Sequence, residues 1–141
     1  MVATPPESLR SAGLRVTAPR VAVLEHLEGH PHADADAIGT AVRERLGAVS
    51  TQAVYDVLRA LTTAGLVERI EPEGSPGRYE LARADNHHHV VCRGCGAVAD
   101  VPCAVGHAPC LTASTDQGFV IDQAQVTYWG TCPDCLARPS R

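Results

Sequence analysis

The sequence predicts an α+β fold: an N-terminal winged helix-turn-helix domain over residues 1–82, a hinge at 83–88, and a small C-terminal α/β domain over 89–141. Three observations predict it. Residues 8–65 carry apolar positions at helical spacing, two short β-like runs follow around a turn-rich loop, and two Cys-x-x-Cys pairs bracket the last third of the chain.

The first helix with clear signals runs from Thr17 to Leu27, with Thr17 as cap, Pro19 in the first turn, and Val21, Val23, Leu24 and Leu27 as its apolar side. A second spans about Asp34 to Leu46, with Ile38, Ala41, Val42 and Leu46 facing inward. The third starts at a capping Ser50, ends at Gly65, and stacks Ala53, Val54, Val57, Leu58 and Leu61 in one stripe. Its other face carries Gln52, Tyr55, Asp56 and Arg59. Leu66 to Ile70 and Arg78 to Leu81 then flank the loop from Glu71 to Gly77 as a hairpin. Three helices followed by a hairpin is the winged-helix order, in which the third helix enters a DNA major groove. A small helical domain with a merely solvated polar face is the competing reading. Asp56 is an objection to DNA contact, since it repels phosphate, although a carboxylate can accept from cytosine N4. Beyond the hinge, Val90 to Cys92, Ala97 to Val101, Phe119 to Ile121 and Gln125 to Tyr128 read as short strands, and Cys110 to Ser114 as a short helix.

Each domain is small. With 141 residues, 45% of them hydrophobic but only 4% aromatic, burial rests on Ala, Val and Leu, so a metal staple or a dimer interface would have to compensate. No apolar run is long enough to span a bilayer, and no charged n-region with an apolar h-region opens the chain, so a cytosolic protein with reduced thiols is expected. The net charge of −4 is unfavourable for a nucleic-acid binder, but all twelve basic residues are Arg, and six of them precede residue 60.

Cys92, Cys95, Cys132 and Cys135 have the composition of a closed tetrahedral zinc site, because each pair on a tight turn aims two sulfurs at one point. Such a site is structural, since it leaves no position for substrate. Disulfides or a redox dithiol are the alternatives. The 36 residues between Cys95 and Cys132 exceed a zinc ribbon's spacing, so the site would clamp the two ends of a domain. His87 and His89 lie two apart and share one side of a strand. The segment His30-Pro31-His32, Glu80 and Asp100 could complete a nitrogen and oxygen set suited to Fe(II), Mn(II) or Zn(II). Surface histidines or a metal-scavenging tract are the other reading.

Taken together, the segments Leu14 to Arg20, His30 to Asp34, Ser50 to Tyr55 with Leu58, Ala64 to Val67, Arg78 to Glu80, His87 to His89, Cys92 to Gly96, Asp100, and Cys132 to Cys135 resemble the ferric uptake regulator family over nearly the whole chain. The resemblance is closest to its peroxide-responsive branch, and within it to actinobacterial repressors encoded beside catalase-peroxidase genes. Gln52 to Leu58, Asp85 to His89, Cys103 to Gly106 and Ala108 to Ser114 carry that part of it. The resemblance implies a structural Zn(II) on Cys92, Cys95, Cys132 and Cys135. It also implies a regulatory Fe(II) or Mn(II), with Zn(II) an alternative occupant, on His30, Glu80, His87, His89 and Asp100, joining the two domains. It further implies a cytoplasmic homodimer held by its C-terminal domain, bound to an AT-rich inverted-repeat operator in double-stranded DNA, with no membrane partner. Arg15, Arg20, Ser50, Thr51, Gln52, Tyr55 and Arg59 fall on the DNA-contacting positions. On that footing the chain is expected to be a metal-dependent repressor of oxidative-stress genes that senses peroxide.

The chain also departs from the pattern. A further inter-domain site of some relatives would need a glutamate and a histidine where His107 and Ala124 stand. Cys103 and Cys110 are additional to the zinc set; they read as buried small residues or as a thiol pair that senses oxidation. An iron- or zinc-availability regulator and a thiol-based repressor remain alternatives within the class. An enzyme is the rival class. A zinc deaminase needs Pro-Cys-x-x-Cys, whereas Cys132-Pro133-Asp134-Cys135 has its proline inside the pair, and a thioredoxin-like oxidoreductase needs one Cys-x-x-Cys in a βαβ setting.

Overall fold

The structure, a computed structural model, describes residues 3–74, 76–83, 86–106 and 109–138. The chain divides into two units, Met1–Ala82 and Arg83–Arg141.

The first unit is built from four helices and a three-stranded sheet. Helix α1 (Pro5–Ser11) opens on a capping box, in which Thr4 Oγ1 accepts from the Glu7 N–H while the Glu7 carboxylate accepts from the Thr4 N–H. Sequence reasoning missed this helix. Its two prolines look like breakers but occupy the first turn, where a missing N–H costs nothing, and it buries a single residue, Leu9, too few to make a stripe. Helix α2 (Ala18–Gly29) is capped by Thr17, α3 (Ala35–Leu46) by Asp34, and α4 (Thr51–Thr63) by Ser50, each side-chain oxygen accepting a backbone N–H three residues on.

Three apolar faces meet in one core. Val23, Leu24 and Leu27 of α2, Ile38 and Val42 of α3, and Val54, Leu58 and Leu61 of α4 pack with Leu9 and Val67, each at most 3% exposed. Leu46, expected to face inward, is instead 38% exposed at the end of α3. Strands β2 (Val67–Ile70) and β3 (Arg78–Leu81) form the expected hairpin, although Ser75 in its loop lies outside the described residues. A two-residue strand that the sequence did not signal, β1 (Ala33–Asp34), adds to the free side of β3 with Ala33 opposite Tyr79. That pairing draws the His30–His32 segment towards β3.

The second unit is a three-stranded sheet in which β4 (His87–Cys92) lies between β5 (Val98–Pro102), antiparallel, and β6 (Thr127–Gly130), parallel. A short helix, α5 (Pro133–Leu136), follows. Since β4 starts at His87, His87 and His88 belong to the sheet, not to the connector; Ala84 and Asp85 within that connector lie outside the described residues. The strand expected at Phe119–Ile121 and the helix expected at Cys110–Ser114 do not form. Phe119 is 74% and Val120 98% exposed, so the apolar character that suggested a strand is left uncovered in a single chain. No helix is long and apolar enough to cross a membrane among the described residues.

Because Leu9 is the whole contribution of α1 to the core, Leu9→Ala should lower unfolding free energy by about 2–5 kcal/mol, the range for a fully buried Leu truncation. Urea titration of the variant checks this, and a loss below about 0.5 kcal/mol would mean that α1 is not docked in solution.

Candidate metal centres and nucleic-acid face

Residues Cys92 at the end of β4, Cys95 in the turn after it, Cys132 at the N-cap of α5 and Cys135 within α5 bring four sulfurs within 4.8 Å of one another. Cys95 Sγ and Cys132 Sγ are 3.7 Å apart. A tetrahedron with zinc–sulfur bonds of about 2.3 Å has edges of about 3.8 Å, so the cluster has the size of a tetrathiolate zinc site. Backbone groups complete the cradle. The N–H groups of Gly94 and Cys132 each donate to Cys92 Sγ at 3.3 Å, and a Cβ at Gly94 would lie 3.1 Å from Cys135 Sγ. Backbone N–H groups, Cys132's first, pull the Cys92 thiol down to about 6, whereas the neighbouring sulfurs of Cys132, Cys92 and Cys95 push Cys135 up to about 12. Four crowded sulfurs cannot all ionise unaided. A divalent cation at their centre would supply the missing charge.

The other candidate ligands are described within each unit. In the second, His87 and His89 project from the same face of β4, and the β4–β5 register sets Asp100 directly opposite His89. Asp100 Oδ1 lies 3.4 Å from His89 Nε2 and 3.8 Å from His87 Nε2, and Asp100 Oδ2 accepts from Arg83 at 3.1 Å. The two rings stand edge to face, 5.0 Å between centroids. In the first unit Glu80 on β3 is 3% exposed, with its carboxylate 3.1 Å from a histidine nitrogen.

That nitrogen belongs to His32. His30 stands at the C-cap of α2, exposed, with its ring stacked on His26 at 4.2 Å and its Nδ1 3.1 Å from the His26 carbonyl. His32 adopts a left-handed φ of 68°, donates its N–H to the Tyr79 carbonyl and receives Arg78 on its own carbonyl. These bonds, continuous with the β1–β3 pairing, turn His32 rather than His30 towards Glu80. The alternation in His30-Pro31-His32 was the available signal, but without β1 nothing in the sequence chose between the two rings.

Cys103 and Cys110 do approach each other, and they converge on His88, the middle member of the histidine run. His88 belongs to the opposite pleat from His87 and His89, so the three histidines serve two places. His107, at the position of a further site, lies outside the described residues.

Helix α4 presents Gln52, Tyr55, Asp56 and Arg59 to solvent. The carboxylate of Asp56 accepts from Gln52 at 2.9 Å and from Arg59 at 3.3 Å, which offsets the charge that would repel phosphate. Ser50 spends its hydroxyl on the cap, and Thr51 accepts from Arg43, whose Nε also holds the Val49 carbonyl. Arg43 thereby fixes the turn between α3 and α4. Arg20 donates to the Arg15 carbonyl at 2.8 Å, leaving the exposed Arg15 guanidinium at the entry to α2.

Residues 11–129 match the ferric uptake regulator family. The transcriptional regulator FurA of Mycobacterium bovis is 65% identical over 129 residues, covering 92% of this chain and 88% of its own. Ferric uptake regulation protein 1 of Mycolicibacterium fortuitum is 63% identical, covering 87% of this chain and 76% of its own. Among solved structures, the ferric uptake regulator of Pseudomonas aeruginosa with manganese is 27% identical with a TM-score of 0.68, covering 93% of this chain and 99% of its own. The chain therefore belongs to the ferric uptake regulator family and is a metal-dependent transcriptional regulator, not an enzyme.

Proposed function

We propose that this regulator is a repressor that senses peroxide through a regulatory Fe(II) or Mn(II) ion and controls oxidative-stress genes such as a catalase-peroxidase gene. The observation that carries the reading is the pair His87 and His89 sharing the carboxylate of Asp100. Imidazole and carboxylate suit iron and manganese, whereas the thiolate cluster suits zinc, so the chain separates two donor chemistries. The resemblance implies that Glu80 and His30 would complete the set; the contact of Glu80 with His32 supports His32 as the alternative to His30. Fe(II) held there would supply one-electron chemistry with peroxide, for which a ligand imidazole, His30 or His87, is a near target.

What the chain's own residues do follows from linkage. If ligands from both units hold one ion, full coordination selects one mutual orientation of those units, and orientation sets the spacing of two α4 helices in a dimer. Metal and DNA then tighten each other. The exposed Leu111, Phe119 and Val120 support a homodimer whose second copy covers them. Tyr55, Gln52 and Arg59 face the bases, Arg15 reaches a minor groove, Arg20 binds backbone, and Ser50 and Thr51 set the helix entry, on an AT-rich inverted repeat in the cytoplasm. A metal-uptake regulator that responds to iron or zinc availability is the second reading, since the same nitrogen and oxygen donors also accept Zn(II).

The deciding experiment measures operator affinity of anaerobic Fe(II)-loaded protein at fixed salt, before and after a peroxide pulse, with intact mass on the same samples. Loss of binding with added oxygen supports peroxide sensing; retained binding at unchanged mass overturns it in favour of metal availability. His30→Ala and His32→Ala should separate the two histidines: the true ligand's loss should weaken Fe(II) binding about 10–100-fold, and equal, small effects would remove both. Arg59→Ala should weaken operator binding by about 1–3 kcal/mol if it reads a base, or lower the salt slope by about one if it binds phosphate. An unchanged affinity and slope would take α4 out of the interface. Stripping zinc from the reduced protein should unfold the second unit, seen as loss of its protected amides; a unit that stays protected would make the tetrathiolate dispensable.

A further inference from the structure

The second unit holds a sulfur and imidazole cluster that neither the zinc site nor the proposed regulatory set uses. Cys103 Sγ, Cys110 Sγ and a nitrogen of His88 lie within 4.8 Å of one another. His88 is 4% exposed, a polar side chain packed under the sheet, while both thiols are half-buried and reachable by a small solute. The hydrogen bonds around the ring decide what the cluster does. Val126 donates its N–H to His88 Nδ1 at 3.3 Å, so Nδ1 offers its lone pair and the ring proton sits on Nε2. Nε2 is 3.1 Å from Cys110 Sγ and therefore donates to that sulfur. A metal-ligating histidine has the reverse arrangement, giving its second N–H to an acceptor. Here the ring is committed as a donor to the Cys110 sulfur, which it thereby holds in place beside Cys103. On the other side, the Gly106 N–H donates to Cys103 Sγ at 3.4 Å. That bond, ahead of smaller contributions from Val105, Cys110 and Asn86, holds the Cys103 thiol below its ordinary range against the opposing effect of burial.

We propose that Cys103 and Cys110 form a peroxide-reactive dithiol, with His88 as its positioning residue, separate from both metal sites. The Cys103 thiolate attacks one oxygen of hydrogen peroxide; a sulfur–oxygen bond forms, the oxygen–oxygen bond breaks, and hydroxide leaves with the displaced electron pair. The Cys110 thiolate then attacks the sulfenic sulfur, the sulfur–sulfur bond forms, and a second hydroxide leaves. Two thiolates lose two electrons in all, and one peroxide is reduced to two hydroxides. The resulting disulfide would tie the end of β5, three residues past Asp100, to the segment lying under His88. Its closure acts on the strands that carry His87, His89 and Asp100 without touching those ligands. The proposal does not depend on iron, so it stands or falls apart from the function proposed above.

The test uses the full-length, reduced protein with zinc bound and iron removed. After a brief peroxide pulse, intact mass, zinc release and disulfide mapping by proteolysis are read together. The expected result is a loss of two hydrogens mapped to a Cys103–Cys110 link, zinc retained, and the loss abolished in Cys103→Ser and in Cys110→Ser. His88→Gln, which can still donate to sulfur, should retain link formation better than His88→Leu, which cannot. A link among Cys92, Cys95, Cys132 and Cys135 with zinc released would overturn the proposal. So would two zinc ions per chain in the untreated protein falling to one in Cys103→Ser, since the cluster would then be a metal site. Unchanged mass of the wild-type chain at a peroxide dose that oxidises a free thiol control also overturns it, without recourse to any variant.

Discussion

The register of β4 is the constraint on which the second unit depends. One strand of six residues carries His87 and His89 on one pleat, His88 on the other, and delivers Cys92 to the sulfur cluster at its end. Antiparallel pairing with β5 sets Asp100 against His89, and parallel pairing with β6 brings Gly130, two residues before Cys132, level with Cys92. A slip of one residue would exchange the environments of the three histidines and separate Cys92 from its partners. Few side chains in this unit are fully buried; Val91, Cys92 and His88 are, so hydrophobic burial alone holds the register weakly. The four sulfurs gather at the end of the sheet where β4 and β6 both finish, so a metal ion bound there would tie those strands together and hold the geometry of the neighbouring histidines.

The first unit works by the opposite economy. Its core is continuous across α2, α3 and α4, and every one of these helices begins on a side-chain cap, so helix ends and core agree on the same boundaries. Arg43, bridging the Val49 carbonyl and Thr51, converts the α3–α4 turn into a fixed joint. The exposed face of α4 is accordingly presented on rigid support, as recognition of base edges requires.

Much of this was legible in the residues. Caps at Thr17 and Ser50, the stripe Val54, Leu58 and Leu61, and the Cys-x-x-Cys pairs each combine a local rule with a long-range one, so they read correctly. What failed lacked one of the two. Helix α1 has a cap but no stripe; β1 has a partner but only two residues; Phe119 to Ile121 is apolar but has no strand beside it. The choice of His32 over His30 beside Glu80 depended on β1, whose Ala33 pairs with Tyr79, 46 residues on in the chain (79 minus 33), which no local pattern encodes. Cys103 and Cys110 were visible as a pair, whereas their meeting with His88 required the pleat of β4 and the backbone N–H of Val126.

If α4 reads DNA as proposed, the clasp of Gln52 and Arg59 on Asp56 makes recognition an exchange reaction. Both side chains already have an acceptor in the free protein, so a duplex engages them only by offering acceptors of equal quality. Once they leave, Asp56 stands bare beside a polyanion. A sequence whose exposed amino groups can in turn donate to that carboxylate completes the exchange, and one that cannot is repelled. On the proposed reading of α4, the acidic residue that at first argues against DNA contact would thus work as a filter, turning away duplexes that match only the charge of the operator.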